Sequence, residues 1–192
     1  MTKTIGINEK MKIANSTRYT ALAKLFHWLT VLLITLQCAV GWIMPDVDDL
    51  NTPEGLVSWH LSIGVLIAAL VVVRMIWRFI NQPPQALTQL PSALRLAAGL
   101  MHWSLYLLLL IVPVLGWINA VERGWSVTFF GLYQLPDILP QESPLWTDIG
   151  DLHIASMWVL VVLIGLHALA ALYHHVVLKD DTLKRMLPGN NA

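Results

Sequence analysis

The stretch DLHIASMWVLVVLIGLHALAALYHH, residues 151–175, decides the fold class of this chain. Beyond Asp151 its only titratable side chains are histidines and one tyrosine, and it exceeds the roughly 20 residues that a helix needs to cross a bilayer. Four histidines nevertheless lie in it or at its edge, although polar side chains in a membrane are costly and usually functional. The stretch therefore predicts a membrane-spanning helix whose imidazoles serve a purpose.

Composition extends this interpretation to the whole chain. Of 192 residues, 56% are hydrophobic and 12% charged, with a mean hydropathy of +0.62, whereas soluble domains are about 25% charged. Spans are predicted at about residues 25–45, 55–80, 96–121 and 152–178. The chain is thus predicted to be all-α, an integral membrane four-helix bundle over residues 17–188. Residues 1–16 form an N-terminal tail without an assigned role, and residues 189–192 form a short C-terminal tail.

The first span could be mistaken for a secretory signal. Its apolar run is too long for a signal core, no small-residue cleavage site follows, and Gln37 before Cys38 is wrong for a lipoprotein signal. Cys38 is the single cysteine, so a disulfide framework and a cysteine-based metal site are both excluded.

Basic residues are distributed unevenly between the two sides of the predicted membrane domain. All of them except Arg123 lie before the first span, at the end of the second span or between it and the third, or after the fourth. The other two loops are acidic. They carry Asp46, Asp48, Asp49, Glu54, Glu122, Asp137, Glu142, Asp148 and Asp151. By the positive-inside rule both termini are cytoplasmic, and no basic cluster suggests nucleic acid as a partner.

The loop after the third span is long for a compact bundle. Its segment GWSVTFFGLY, residues 124–133, could lie on the membrane surface or cap a site. Proline-rich stretches at 81–91 and 133–144 end the neighbouring helices.

Helical geometry sorts the histidines into two levels. His153 and His167 differ by about 40° around one helix and by about 21 Å along it. His167 lies at the depth of His27 on the first helix, near the cytoplasmic side. His60 begins the second span near the outer surface, at the level of His153. Two inward pairs are therefore predicted, one near each surface.

Two bis-imidazole haems stacked across the membrane would need such pairs, since neutral imidazole is a good axial ligand for haem iron. Gly41 lies on the face and at the level of the outer pair, and Gly64 is one turn below His60, so each could leave room for a porphyrin. Both could equally be packing glycines, which are common in membrane helices. Zinc transport or a proton relay also uses interior histidines, but the spans lack the carboxylates that a transporter favours.

Several motifs resemble the bacterial cytochrome b561 family over roughly residues 17–188. They are RYTALAKLFHWL (18–29), WHLSIGVLIAALVVVRMIWR (59–78), VERG (121–124), the fourth span, and KDDTLKRMLP (179–188). The resemblance implies a multi-pass protein of the bacterial inner membrane with two b-type haems. It implies His27 with His167 as ligands of the cytoplasmic haem and His60 with His153 as ligands of the outer haem.

His102 is the remaining candidate ligand. It lies somewhat deeper than the inner pair, no second imidazole is placed beside it, and a polar residue at the interface is the simpler interpretation.

Irons with two imidazole ligands have no open position, which suits electron transfer rather than oxygen activation. Three accounts remain. The protein is an enzyme that moves electrons between a small donor and membrane quinone, a relay subunit of a larger dehydrogenase or hydrogenase, or a non-redox histidine channel. The short chain without a soluble docking segment favours the enzyme.

A quinone site is predicted beside the cytoplasmic haem. His174 is seven residues after His167 and returns to nearly the same face, whereas His175 is turned about 100° away. A histidine there could pass protons to ubiquinone, or it could simply anchor the helix end. Tyr19 and Arg18 could close the pocket. Arg74 could bind a haem propionate or a quinone oxygen, or extend to the interface as an ordinary membrane arginine.

The electron donor follows most directly from the resemblance, because the family includes an enzyme that oxidises superoxide and reduces ubiquinone. An anion approaching the acidic outer face would be steered by Arg123, whose Arg-Gly pair matches the family pattern. An ordinary surface arginine paired with Glu122 explains the residue equally well. A reduced partner protein would then be the donor.

Overall fold

Four apolar segments form four helices that are each long and apolar enough to cross a membrane. The computed structural model describes residues 18–45, 53–84, 91–136 and 148–189. The helices are α1 (Ala21–Ile43), α2 (Gly55–Ile80), α3 (Ser92–Glu122) and α4 (Ile149–Tyr173). A short hairpin of β1 (Thr128–Phe129) and β2 (Tyr133–Gln134) follows α3, and a π-helical turn, His174–Leu178, extends α4. The predicted all-α membrane bundle is confirmed, and the hairpin is an addition to it.

Some predictions fall on residues outside the described ranges. They concern the tail 1–16, Asp46, Asp48, Asp49, Asp137 and Glu142, and parts of the loops 81–91 and 133–144.

Local capping explains why two helices begin earlier than the predicted spans. The hydroxyl of Thr20 accepts the amide of Ala23 at 3.2 Å, so α1 begins at Ala21. Lys24, expected to precede the first span, lies inside this first turn with a buried side chain. α3 begins at Ser92 directly after Pro91, where the missing amide costs nothing.

Consecutive helices pack in sequence order, so α2 and α3 are central and α1 and α4 are outer. Aliphatic side chains fill the core between them, among them Leu33, Ile63, Ile67, Val71, Leu109 and Leu160. In the described part of the chain, no Cα atom of α4 lies within 8 Å of α1 or α2. α4 therefore meets α1 and α2 through side chains, which include the facing histidine rings, and a cleft opens around His60 and His153.

The hairpin covers the cleft at the end where α2 and α4 begin. Thr128 is paired with Gln134, and Phe129 with Tyr133. Ser62, on α2, fixes the hairpin because its hydroxyl accepts the amide of Phe130 at 2.9 Å and lies 3.0 Å from the carbonyl of Thr128. Segment 124–133 borders the cleft through Val127, as a cap requires, and its place relative to the membrane surface stays a prediction.

Candidate functional site: two imidazole pairs in the cleft

The imidazoles of His60 and His153 face each other across the cleft at the end covered by the hairpin. Their ring centroids are 6.4 Å apart and their planes are inclined by 83°. We call them the hairpin-end pair. The cleft around them is lined by Gln37, Leu61, Gly64, Val65, Pro113, Gly116, Trp117 and Val127.

A backbone carbonyl fixes the protonation of His153. Its Nδ1 lies 2.9 Å from the carbonyl oxygen of Val112, to which Nδ1–H donates. The neutral ring then carries its lone pair on Nε2, as a metal ligand requires. Gly116 makes this position possible, because a Cβ there would lie 3.0 Å from Cε1 of His153.

Gln37 holds His60 from the neighbouring helix. Its amide nitrogen lies 3.0 Å from the carbonyl of His60 and 3.1 Å from the ring Nε2. Gly41 lies beside the same ring, since a Cβ there would approach Cε1 to 3.3 Å. The predicted place of Gly41 at the outer pair is thus seen, and Gly64 borders the cleft with Gln37 as its nearest side chain.

His27 and His167 form a second pair at the other end of the bundle. Their ring centroids are 6.5 Å apart with an interplanar angle of 74°. We call them the terminal-end pair, because the first and last described residues lie at this end. Arg74 places a guanidinium nitrogen 3.0 Å from Nδ1 of His27 and stacks over the ring of Tyr106. Arg74 therefore belongs to this pair, at the level that the sequence predicted.

His102 has a closer neighbour than the sequence suggested. Its ring centroid lies 5.3 Å from that of His167, and its Nδ1 lies 2.6 Å from the carbonyl of Ala98. The sequence assigned His102 no partner for a further haem, and its neighbour here is His167, which already faces His27. This proximity was not foreseen, because the rotation of α3 against α4 cannot be read from either helix alone. His102 is a third imidazole at the terminal end.

The predicted quinone residues lie beyond the terminal-end pair. His174 is partly buried and lies 2.6 Å from a carboxylate oxygen of Asp180, while His175 is exposed. Tyr19, half-buried, and Arg18, exposed, directly precede α1. The contribution of these residues to a quinone pocket stays a prediction.

Arg123 lies at the other end of the bundle, where α3 stops. The amide of Trp125 donates to the carbonyl of Ala120, and that of Gly124 to the carbonyl of Val121. These bonds form a Schellman motif, which needs a residue of positive φ, and Gly124 has φ +73°. The Arg-Gly pair thus has a structural reason, and the guanidinium of Arg123 lies 5.4 Å above the ring of Trp125.

The cleft fits a haem with two imidazole ligands at each end. Two metal–imidazole bonds of about 2 Å plus two ring radii separate the centroids by about 6 Å, close to the separation in both pairs. The missing side chains at Gly41 and Gly116 let the rings of His60 and His153 lie against the neighbouring helix backbones. Within the described ranges, Nδ1 of His60 and Nε1 of Trp117 are buried without a hydrogen-bond partner. Unpaired buried groups of this kind require an explanation.

Sequence reasoning missed four contributors to these sites: Gln37, Gly116, the Val112 carbonyl and Asp180. A polar Gln37 inside a predicted span was the available signal, since polar groups in membranes usually bond to something. Gly116 gave no signal that separated it from other membrane glycines.

Comparison with known proteins agrees with this geometry. A family model described as prokaryotic cytochrome b561 matches residues 18–189. The chain is similar to "Cytochrome b561 homolog 2" of Escherichia coli (strain K12), at 35% identity over 91% of this chain and 94% of the relative. It is also similar to "Probable superoxide oxidase CybB" of Yersinia pestis, at 33% identity over 89% of this chain and 96% of the relative. "Cytochrome b562" of Cereibacter sphaeroides is 29% identical over 88% of this chain and 94% of the relative.

Proposed function

The chain belongs to the prokaryotic cytochrome b561 family, and from this premise we propose that it carries electrons between two b haems stacked across the membrane. Membership establishes a multi-pass membrane protein that binds haem b and transfers electrons. The observation that carries the proposal is the pair of matched imidazole separations, 6.4 Å and 6.5 Å, at opposite ends of the bundle. The proposed ligands are His60 with His153 and His27 with His167.

Bound haem iron would supply a one-electron carrier at each end. Two imidazoles on one iron would leave no position for a further ligand, which suits electron transfer rather than oxygen activation. The protein's part is to hold each ring and to exclude water. The carbonyl of Val112 holds the ring of His153, and the side-chain amide of Gln37 holds the ring of His60.

The proposed orientation places the terminal end in the cytoplasm and the hairpin end outside the bacterial inner membrane. It is supported by the basic residues that precede α1, lie in the last two turns of α2 (Arg74 and Arg78) and the first turn of α3 (Arg95), and follow α4. Both termini then face the cytoplasm.

We propose superoxide as the donor at the hairpin end and ubiquinone as the acceptor at the terminal end. Two superoxide ions each give up one electron and leave as dioxygen, while one quinone takes up two electrons and two protons and leaves as quinol. The name of the Yersinia relative supports the donor. Arg123 supports it as well, because a guanidinium above Trp125 offers a cation beside the hairpin that covers the cleft.

A second candidate is an electron-relay role, in which a redox protein or a larger dehydrogenase or hydrogenase subunit supplies the electrons. The acidic character of the same loops favours it, since Arg123 is their only basic residue in the sequence. Carboxylates repel a small anion and attract a basic protein partner.

The two candidates predict different results with the purified holoprotein. Superoxide from an enzymatic source should reduce the haems within the mixing time and form quinol from a soluble ubiquinone analogue. Added salt and Arg123→Glu should both slow the reduction, because each weakens the attraction of an anion. Haems that stay oxidised under superoxide, together with a large subunit that copurifies with the native protein, would instead establish the relay role.

The ligand assignment has its own test. His167→Ala should lose the low-spin haem of the terminal end, because its iron keeps one imidazole. The control is His175→Ala, because His175 is exposed in the π-helical turn that extends α4. This variant should retain the spectra of both haems. Two intact low-spin haems in His167→Ala would overturn the assignment.

A further inference from the structure

The chain reverses direction immediately after α4, through a turn that sequence periodicity does not predict. Residues His174–Leu178 form a π-helical turn, and Lys179 then adopts a left-handed conformation with φ +53°. The amides of Lys179 and Asp180 both point back to the carbonyl of His174, the latter at 3.1 Å. Turns of this kind in helices are frequent at functional sites, and this one returns Asp180 to the side chain of His174.

Asp180 is held in place from two directions. One carboxylate oxygen lies 2.6 Å from Nδ1 of His174, and the other accepts the amide of Thr182 at 2.8 Å. Burial alone would raise the pKa of Asp180, but the hydrogen bonds from His174 and Thr182 outweigh it and keep the pKa below its usual value. Asp180 is therefore an ionised acceptor at neutral pH.

We propose that Asp180 is a positioning residue that holds the Nδ1 proton of His174, so that Nε2 is the atom that transfers protons to the quinone. This inference rests on the proposed reduction of quinone at the terminal end. Its geometric basis is the 2.6 Å contact, which the π-helical turn and the left-handed Lys179 create.

The proton balance assigns a role to each ring nitrogen. Quinone takes up two electrons from the haems and two protons, and each proton passes from Nε2 of His174 to a quinone oxygen. Water at the terminal end then returns a proton to Nε2. Nδ1 of His174 keeps its proton throughout and donates it to the Asp180 carboxylate, which stabilises the charged ring between transfers, as carboxylate partners of catalytic histidines do.

The neighbouring carboxylate provides a matched control. Asp181 pairs with Lys184 at 3.2 Å, and both side chains are largely exposed. Among the described residues, the carboxylate bonded to His174 is that of Asp180. Asp180→Asn and Asp181→Asn thus remove the same charge from adjacent positions, and one of them touches His174.

The first measurement observes the ring itself. Histidine-selective ¹⁵N NMR of the holoprotein in detergent should show the Nδ1–H form of His174, and Asp180→Asn should convert it to a mixture of tautomers. Asp181→Asn should leave the signal unchanged. An unaltered His174 signal in Asp180→Asn overturns the positioning role. Because this readout needs no turnover, it is independent of the proposed function.

The second measurement follows quinol formation from chemically reduced haems. Asp180→Asn should lower the rate by about 10- to 100-fold, the usual effect of losing an outer partner of a functional histidine, and Asp181→Asn by less than about twofold. Intact haem spectra verify folding. His174→Gln should remove the effect of Asp180→Asn in the double variant, since residues that act through one another are not additive. If the two substitutions lower the rate independently, so that their effects multiply in the double variant, the inference is overturned. If the wild-type protein forms no quinol, the proposed function is overturned together with the proton transfer.

Discussion

The indole nitrogen of Trp28 donates a 2.8 Å hydrogen bond to the backbone carbonyl of Met186, a residue 158 positions later in the chain. The bond joins α1 to the segment that follows α4, although no Cα atoms of the two helices approach within 8 Å over the described residues. The ring of Trp28 also lies 5.4 Å from that of His27. The C-terminal segment is thus tied to α1 next to His27, a member of the terminal-end pair.

We expect Trp28→Phe to loosen the attachment of the C-terminal segment to α1, because phenylalanine lacks the indole N–H. The substitution still leaves an aromatic ring beside His27. Loss of one hydrogen bond should destabilise the C-terminal segment by about 1 kcal/mol, seen as faster proteolytic cleavage after Leu178. Trp42→Phe changes an exposed tryptophan of the same helix and should cleave at the wild-type rate. Equal rates for all three proteins would show that the bond does not hold the segment.

Gly116→Ala should eliminate haem binding at the hairpin end while leaving the terminal end loaded. The added Cβ would lie 3.0 Å from Cε1 and 3.2 Å from Nδ1 of His153, so the ring must shift by a few tenths of an ångström and strain its bond to Val112. The pyridine haemochrome assay should show half the wild-type haem content. A redox titration should show one haem component in place of two.

Gly99→Ala is the matched control, because a Cβ at that position of α3 meets nothing within 4 Å. It should retain both haems and, as a helical glycine replaced by alanine, lose no stability. A fully loaded Gly116→Ala protein would show that the cleft can widen to accept the methyl group.

The pairing of the histidines could be predicted because each helix fixes the depth and face of its own residues. His153 and His167 share a face by helical periodicity alone, and their partners follow from depth. Both pairs lie as expected in the structure, although their role as ligands stays a prediction.

Other relationships depend on how helices rotate against each other or on departures from regular helix, and sequence periodicity contains neither. His102 meets His167 through the packing of α3 on α4. Gln37 reaches His60 across α1 and α2. Asp180 reaches His174 because a π-helical turn replaces the regular spacing.

Arg74 should raise the reduction potential of the haem at the terminal end. Its guanidinium lies 3.0 Å from Nδ1 of His27, and a fixed positive charge favours the uptake of an electron. Arg74→Met should therefore lower that potential, by about 2 kcal/mol for unit charges about 8 Å apart at an effective dielectric constant of about 20.

Arg78→Met provides the comparison for this potential. Arg78 lies over the same Tyr106 ring at 5.8 Å, against 5.5 Å for Arg74. Arg74 is the one that contacts His27, so Arg78→Met should shift the potential less. Equal shifts in a spectroelectrochemical titration would assign the effect to general charge instead of to the contact with His27.

Acid should open the turn that holds His174, at a pH set by Asp180. Hydrogen bonds from His174 and Thr182 hold the pKa of Asp180 below its usual value in the folded protein, against the opposing effect of burial. A lowered folded-state pKa means that the carboxylate stabilises the turn fully above the unfolded value of about 3.9. This stabilisation is lost as the pH falls through the folded pKa.

The Thr182 amide, which donates to Asp180 at 2.8 Å, reports the protonation of this carboxylate directly. Its NMR shift should titrate below about pH 3.9 in the wild-type protein and in Asp181→Asn, and stay flat in Asp180→Asn. A midpoint at or above the ordinary aspartate value would contradict the proposed ionised pair.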